Sequence, residues 1–387
     1  MEYSRSRNKE WASFFSGNRY DLMEWAGAFG DLGTLIPFVL AYINILKIDP
    51  AGLLFMFGVA KIAAGLFYKT PIPIQPMKAI GAASVAQAGG FSPAAVWGAG
   101  FFTGLVWLVL GLTGIVGRVA ALAKKPVVQG IVLGLGLSFM TEGMRSMQAS
   151  PFVAVVALIL AFALLGNRRF PVMFLLLALG VTSSLVSNPA VITDLKQGMG
   201  LRLPPFTLPQ LTWPDLVKGS LFLALPQVPL TLGNAVIAIV AENNQLFPCR
   251  PVTERKIALS TGLMNLVAPI FGGVPMCHGA GGMAGHVRFG ARTGGALVIL
   301  GSLVIIVALF FSRGVNTLFQ LFPPAILGVI LFFAGAELAL TARPDGAGRQ
   351  DFYVTLVTTG FAMWNMGVAF LAGLLLNAAL ERGWVRL

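Results

Sequence analysis

Charge is what this 387-residue sequence has least of: Asp, Glu, Lys and Arg together make up 11% of it, against 56% hydrophobic residues and a mean hydropathy of +0.81. An ordinary soluble domain carries roughly a quarter charged residues, so a chain this poor in charge belongs in lipid. Histidine and cysteine are scarce as well, with two of each. Cys249 and Cys277 lack the spacing of metal sites or disulfide frameworks. Cys277 beside His278 gives two consecutive donors with no further Cys or His nearby, so no metal and no cofactor are expected. Apart from that pair, no nucleophile, acid and base stand together, which argues against an enzyme.

Two further absences narrow the class. The first twenty residues are polar, carry Arg5, Arg7, Lys9 and Arg19, and lack the short apolar core and cleavage site of a secretory leader. The net charge of +12 is spread one to three basic residues at a time between apolar segments, not gathered on one face, which argues against nucleic acid as a partner.

What is present is a series of apolar runs. Phe91 to Val116 and Thr293 to Phe311 hold almost no charge over nearly a bilayer thickness. Punctuation by Gly, Pro and charge divides the chain into about fourteen membrane segments, several too short to cross alone. The first seven run near 24–43, 50–68, 74–89, 93–116, 126–142, 151–166 and 170–187. The second seven run near 216–241, 255–271, 275–288, 293–312, 317–341, 351–363 and 365–381. With both termini on the cytoplasmic side of a cell inner (plasma) membrane, 19 of the 27 Lys and Arg fall in cytoplasmic segments, as the positive-inside rule requires.

Short matches recur in order at nearly constant offset: Leu32-Gly33 with Leu232-Gly233, Pro76-Met77 with Pro275-Met276, and Pro126/Gly130 with Pro324/Gly328. This colinearity predicts a duplicated unit, 1–190 and 215–387, joined by a linker over 191–214. Seven crossings per unit is an odd number, so the second copy enters the membrane inverted, the plan of many secondary transporters.

Segments 3 and 10 are the irregular ones. In KTPIPIQPMK (69–78), prolines at 71, 73 and 76 forbid a regular helix and favour extended chain up to about Pro76, after which MKAIGAASVAQ reads as a short helix. FGGVPMCHGAGGMAG (271–285) repeats the plan, with Pro275 before the helix start. Two half-helices meeting near the midplane aim unpaired amides and positive dipole ends at one point, which makes an anion site. The amides of Met77, Lys78 and Ala79 are expected to face those of Cys277, His278 and Gly279, with side-chain donors from Thr34, Gln75, Asn234 and His278. Lys78 either adds positive charge beside the anion or pairs with Asp31 or Glu337. Asp31, His278 and Glu337 are candidates for coupling transport to protons, and His278 has the alternative of being a simple hydrogen-bond donor.

At these residues the sequence resembles a known group. GAFGDLGTLIP (27–37), PIPIQPMKAIGA (71–82), GNAVIA (233–238) and PMCHGAGGMAGHVRFGARTGG (275–295) look like the signature stretches of the molybdate transporter family related to the SulP sulfate permeases. The resemblance implies an all-α integral membrane fold of fourteen segments in a 7+7 inverted repeat, like the SulP and uracil transporters. It further implies a core domain (segments 1–4 and 8–11, about 24–116 and 216–312) moving against a gate domain (segments 5–7 and 12–14, about 126–187 and 317–381). The family motif places the site at Gln75, Pro76, Met77 and Lys78 and at Pro275, Met276, Cys277, His278 and Gly279. Unlike SulP permeases, the sequence shows no C-terminal regulatory domain. The expected function is secondary transport of a tetrahedral oxyanion, molybdate first and sulfate as the alternative, as a proton symporter; an anion channel on the same scaffold stays open. Expected partners are the small inorganic oxyanion and the lipid bilayer, with a homodimer as an open alternative.

Overall fold

The computed structural model describes residues 17–81, 91–167, 169–207, 211–342 and 348–384. Its long elements, in chain order, are α1 (Leu22–Asn44), α2 (Pro50–Tyr68), α3 (Pro93–Thr113), α4 (Lys125–Met147), α5 (Pro151–Leu164), α6 (Val172–Ser187) and α7 (Trp213–Leu246). They continue with α8 (Glu254–Val267), α9 (Ala280–Arg288), α10 (Gly295–Phe310), α11 (Pro324–Thr341), α12 (Arg349–Trp364) and α13 (Met366–Glu381). Helix starts follow local chemistry. The Asp49 side chain accepts the Ala51 amide ahead of α2, and Ser92 accepts the Ala95 amide ahead of α3, each with proline at the first helical position. Thr253 and Asn365 cap α8 and α13 in the same way.

Among the described residues, α1, α2, α3, α4, α7 and α11 are long and apolar enough to cross a membrane. Two bent pairs bring the number to eight: α6 with Val191–Gln197 at 95°, and α10 with Ser312–Gln320 at 92°. The chain is therefore an integral membrane protein, with six to eight spans by length and composition where the sequence divides into about fourteen segments. The difference lies in short helices such as α5, α8, α9, α12 and α13, which at about 1.5 Å per residue do not cover a hydrocarbon core of about 30 Å by themselves. Phe152, Ile159 and Phe162 of α5 stand exposed, an apolar stripe suited to lipid and not to water.

Helices distant in sequence pack most closely: α2 along α10, α3 along α8, and α4 along α11. The α4–α11 contact depends on two facing glycines. A Cβ at Gly143 would lie 2.6 Å from the Gly328 carbonyl oxygen, and one at Gly328 would lie 2.6 Å from that of Gly143, so only hydrogen permits this approach. α7 is long but irregular. Pro226 and Pro229 remove amide donors, and π-helical stretches at Gly219–Ala224 and Thr231–Ala238 flank them. At the centre of the protein lie two very short strands, β1 (Gln75–Pro76) and β2 (Met276–Cys277), paired antiparallel with Gln75 opposite Cys277 and Pro76 opposite Met276.

Candidate functional site

The strand pair is where the two interrupted segments meet. Three prolines keep 71–76 extended, and this backbone is buried, so each polar group needs a partner inside the protein. The Met77 amide donates to the Pro275 carbonyl at 2.9 Å. Asn265 of α8 clamps β2 from behind, donating to Met276 O at 2.6 Å and accepting from Met276 N at 2.7 Å. The Tyr42 hydroxyl donates to Met77 O at 3.1 Å. A small hydrogen-bonded crossing thus replaces helix in the middle of the bundle.

Beyond β1 the chain is helical at Lys78–Gly81, two residues later than Pro76; the remainder of the expected half-helix, 82–90, lies outside the described residues. Its counterpart is α9, whose start follows Gly279. The expected set of converging amides is partly engaged inside the protein. Met77 bonds to Pro275, and Ala79 and Ile80 donate to Gln227 Oε1 at 2.8 and 3.3 Å. Gln227 is held in turn by donating to Thr231 Oγ1 at 2.9 Å. Sequence reasoning missed Gln227, although a glutamine between two prolines in an apolar segment was the available signal.

Around β1 a buried polar network forms. Gln75 Nε2 donates to Asp31 Oδ1 at 2.6 Å and to Thr34 Oγ1 at 2.5 Å, and the Thr34 hydroxyl also bonds to Asp31. Lys61 of α2 completes it, with Nζ 3.0 Å from Asp31 Oδ2 and 2.7 Å from the Ile74 carbonyl. Because its amide nitrogen faces the carboxylate, Gln75 turns its oxygen toward Gly279, where a Cβ would collide with it. Among the described residues, that oxygen and Asn234 Oδ1 are buried without hydrogen-bond partners.

The two carboxylates named for Lys78 have other partners. Asp31 is paired with Lys61, and Glu337 with Arg288 at 3.2 Å, so Lys78 pairs with neither. Its ammonium lies instead 4.0 Å from the centre of the Phe139 ring, a cation–π contact from α4. His278 bridges the halves: one ring nitrogen lies 3.0 Å from the Pro73 carbonyl and the other 2.7 Å from Ser260 Oγ, with Tyr68 edge-on at 5.6 Å and bonded to the same serine at 2.6 Å. Both nitrogens are thereby engaged within the protein. Pro76, Met276 and Cys277 are buried in the strand pair.

A cavity of about 640 Å³ opens beside this crossing, with Thr34 and Lys78 on one wall and Ser138, Phe139 and Arg145 of α4 on the other. A second, of about 600 Å³, shares Gly33, Pro37 and Ser146 with it and continues along Ser183, Ser184 and Ser187 of α6. Of the expected site residues, the structure brings Thr34 and Lys78 to the cavity wall. Gln75, Asn234, Cys277 and His278 lie off that wall, although Gln75 bonds to Thr34.

A family profile described as "Molybdate transporter of MFS superfamily" matches residues 23–139 and 219–338, spanning both interrupted segments. The chain belongs to the molybdate transporter family. It is 33% identical to Molybdate transporter 2 of Arabidopsis thaliana over 395 residues, covering 89% of this chain and 84% of that one. It is 31% identical to Molybdate transporter 1 of the same plant, covering 95% and 89%. This is a family of transporters and not of enzymes. Among solved structures, the transmembrane domain of a cyanobacterium bicarbonate transporter, BicA, superposes with a TM-score of 0.54 at 16% identity, covering 91% of this chain and 97% of that domain. The fold is thus shared with that anion transporter, while its substrate is not carried over by so distant a likeness.

Proposed function

We propose that this protein is a secondary active transporter of a tetrahedral oxyanion, most directly molybdate, working by alternating access and driven by protons. The observation that carries the reading is the crossing of the two interrupted segments beside a largely apolar cavity, with the Lys78 ammonium and the Thr34 hydroxyl at its edge. The names of the plant relatives support molybdate as the substrate.

Packing supports the inverted repeat. If segment n corresponds to n+7, the α2–α10 contact (segments 2 and 11) has the α3–α8 contact (segments 4 and 9) as its mate. The α4–α11 contact (5 and 12) and the β1–β2 pair (3 and 10) map onto themselves. A pseudo-two-fold axis through the strand pair accounts for all four. In this reading α4, α5, α6, α11, α12 and α13 form the gate, the remaining long helices form the core, and the substrate travels with the core. With the N-terminus in the cytoplasm of a cell bounded by this membrane, Arg145 and Ser146 lie at the outer end of α4, and the cavity opens outward. The anion then docks against Lys78 and Thr34, backed by Gln75. The site closes when α4 and the rest of the gate move against the core.

Coupling has an electrostatic motive. Moving a dianion toward a negative interior is opposed by about 2.3 kcal/mol per charge per 100 mV, so uptake needs co-transported positive charge. The test is uptake of radiolabelled molybdate by proteoliposomes of purified protein, with and without an inward proton gradient, and with sulfate as competitor. Saturable accumulation that the gradient drives and sulfate inhibits weakly is the expected result. Absence of saturable molybdate uptake would reject the substrate, and equal accumulation without the gradient would reject proton coupling.

A further inference from the structure

The three residues named from sequence as coupling candidates all have partners: Asp31 is paired with Lys61, Glu337 with Arg288, and His278 is bonded at both ring nitrogens. Glu24, also buried, accepts the amides of Arg292, Thr293 and Ala296. Glu242 differs from all of them. It lies in the last turns of α7, is 1% exposed, and has both carboxyl oxygens without a hydrogen-bond partner among the described residues. Among the described residues no Lys or Arg nitrogen stands within ion-pair distance of it.

A bare carboxylate at that depth bears a desolvation cost that no neighbour offsets. Such a group is suited to hold a proton while buried and to release it only where water or a cation reaches it. Water has a place to reach it. Glu242 borders a cavity of about 380 Å³ lined by Lys125 and Gln129 of α4, Gln245 of α7 and Thr341 of α11. This cavity lies at the opposite end of α4 from the one that exposes Lys78, since Lys125 and Arg145 are at the two ends of that helix.

The charged and titratable groups on the elements packed against Glu242 decide what its ionisation does. The end of α7 packs on α9 and α11. From α9 come His286, whose Nδ1 is 2.8 Å from the Gly27 carbonyl, and Arg288. From α11 comes Glu337, which holds Arg288 at 3.2 Å and whose charge repels that of Glu242. From α4 comes Lys125, on the cavity wall. The Arg288–Glu337 pair ties α9 to α11, an element of the proposed core to one of the proposed gate.

We propose that Glu242 is the site from which the transported proton is released, on the face of the protein opposite the substrate cavity. The inference rests on the proton-coupled reading given above and names the residue that performs it. Protonated, Glu242 is neutral and leaves the Arg288–Glu337 tie intact. When its O–H bond breaks and the proton passes to water in the small cavity, the carboxylate left behind repels Glu337, the partner of Arg288, and loosens α9 from α11 on that face.

The test uses the purified full chain in proteoliposomes and compares the wild type with Glu242→Gln, which has the shape of the protonated acid, and with Glu242→Asp. Two readouts are taken: molybdate counterflow without a pH gradient, and accumulation driven by an inward gradient. One coupled proton supports about a tenfold accumulation per pH unit. Glu242→Gln is expected to keep counterflow and lose that accumulation, while Glu242→Asp retains it with a shifted pH profile. Full gradient-driven accumulation in Glu242→Gln overturns the inference and leaves proton-driven transport standing. Loss of counterflow together with accumulation assigns the residue a structural role and also overturns it. A wild type indifferent to the gradient removes the coupled reading itself.

Discussion

At Gln75 one side-chain amide joins the ion pair of α1 and α2 to the start of α9, with its nitrogen on Asp31 and Thr34 and its oxygen toward Gly279. Lys61 makes this possible: both members of the Lys61–Asp31 pair have fully buried side chains, so removing one leaves the other charge uncompensated. Lys61→Met is therefore expected to lower stability by about 3–5 kcal/mol, as is usual for a broken buried pair. Thermal unfolding of purified protein in detergent reads this, and an unchanged melting temperature would show that Asp31 finds other compensation. Lys78 has a different role, since its ammonium rests on an aromatic ring at a cavity wall and not on a carboxylate. Lys78→Ala is expected to weaken molybdate binding by roughly 10- to 100-fold, the loss of one charge-assisted contact, with folding preserved. Uptake kinetics showing the same KM as wild type would remove Lys78 from the site.

At the scale of elements, the prolines and glycines in 69–78 and 271–285 made both interruptions legible, because proline lacks the amide hydrogen a helix needs and glycine costs it backbone entropy. The register of β1 on β2 was not legible, nor was the use of Gln227 to receive the amides of Ala79 and Ile80 from 148 and 147 residues away. These depend on which helices lie side by side. The clamp by Asn265 is of the same kind: its two bonds to Met276 hold β2 against α8. Asn265→Leu is expected to destabilise the protein by about 2–3 kcal/mol, because two buried backbone groups lose their partner, and to reduce transport with it. Hydrogen exchange at Met276 as slow as in the wild type would contradict this account.

For the whole molecule, the close approach of α4 to α11 at Gly143 and Gly328 fixes the distance between the two halves of the proposed gate. Gly328→Leu is expected to force them apart at a cost of about 1–3 kcal/mol or more, read as a lower yield of folded protein. Molybdate should act in the opposite direction. At a hundredfold excess over its Kd, a ligand that binds only the folded state adds about 2.7 kcal/mol of stability. The melting temperature of wild type should rise accordingly, and that of Lys78→Ala should rise much less at the same concentration.

Residence in a membrane, the two broken segments and membership of the molybdate transporter family were determined by the sequence alone, since apolar run length, missing amide donors and motif order are properties of neighbouring residues. The partners of the buried charges were decided only in three dimensions. From the sequence Lys78 could be matched with Asp31 or Glu337, but the fold brings Lys61 and Arg288 to those carboxylates and leaves Glu242, which no motif marks, without a cation among the described residues. The physical reason is that charge pairing in a low-dielectric interior depends on distances of a few ångströms between helices far apart along the chain, and only their packing fixes those distances.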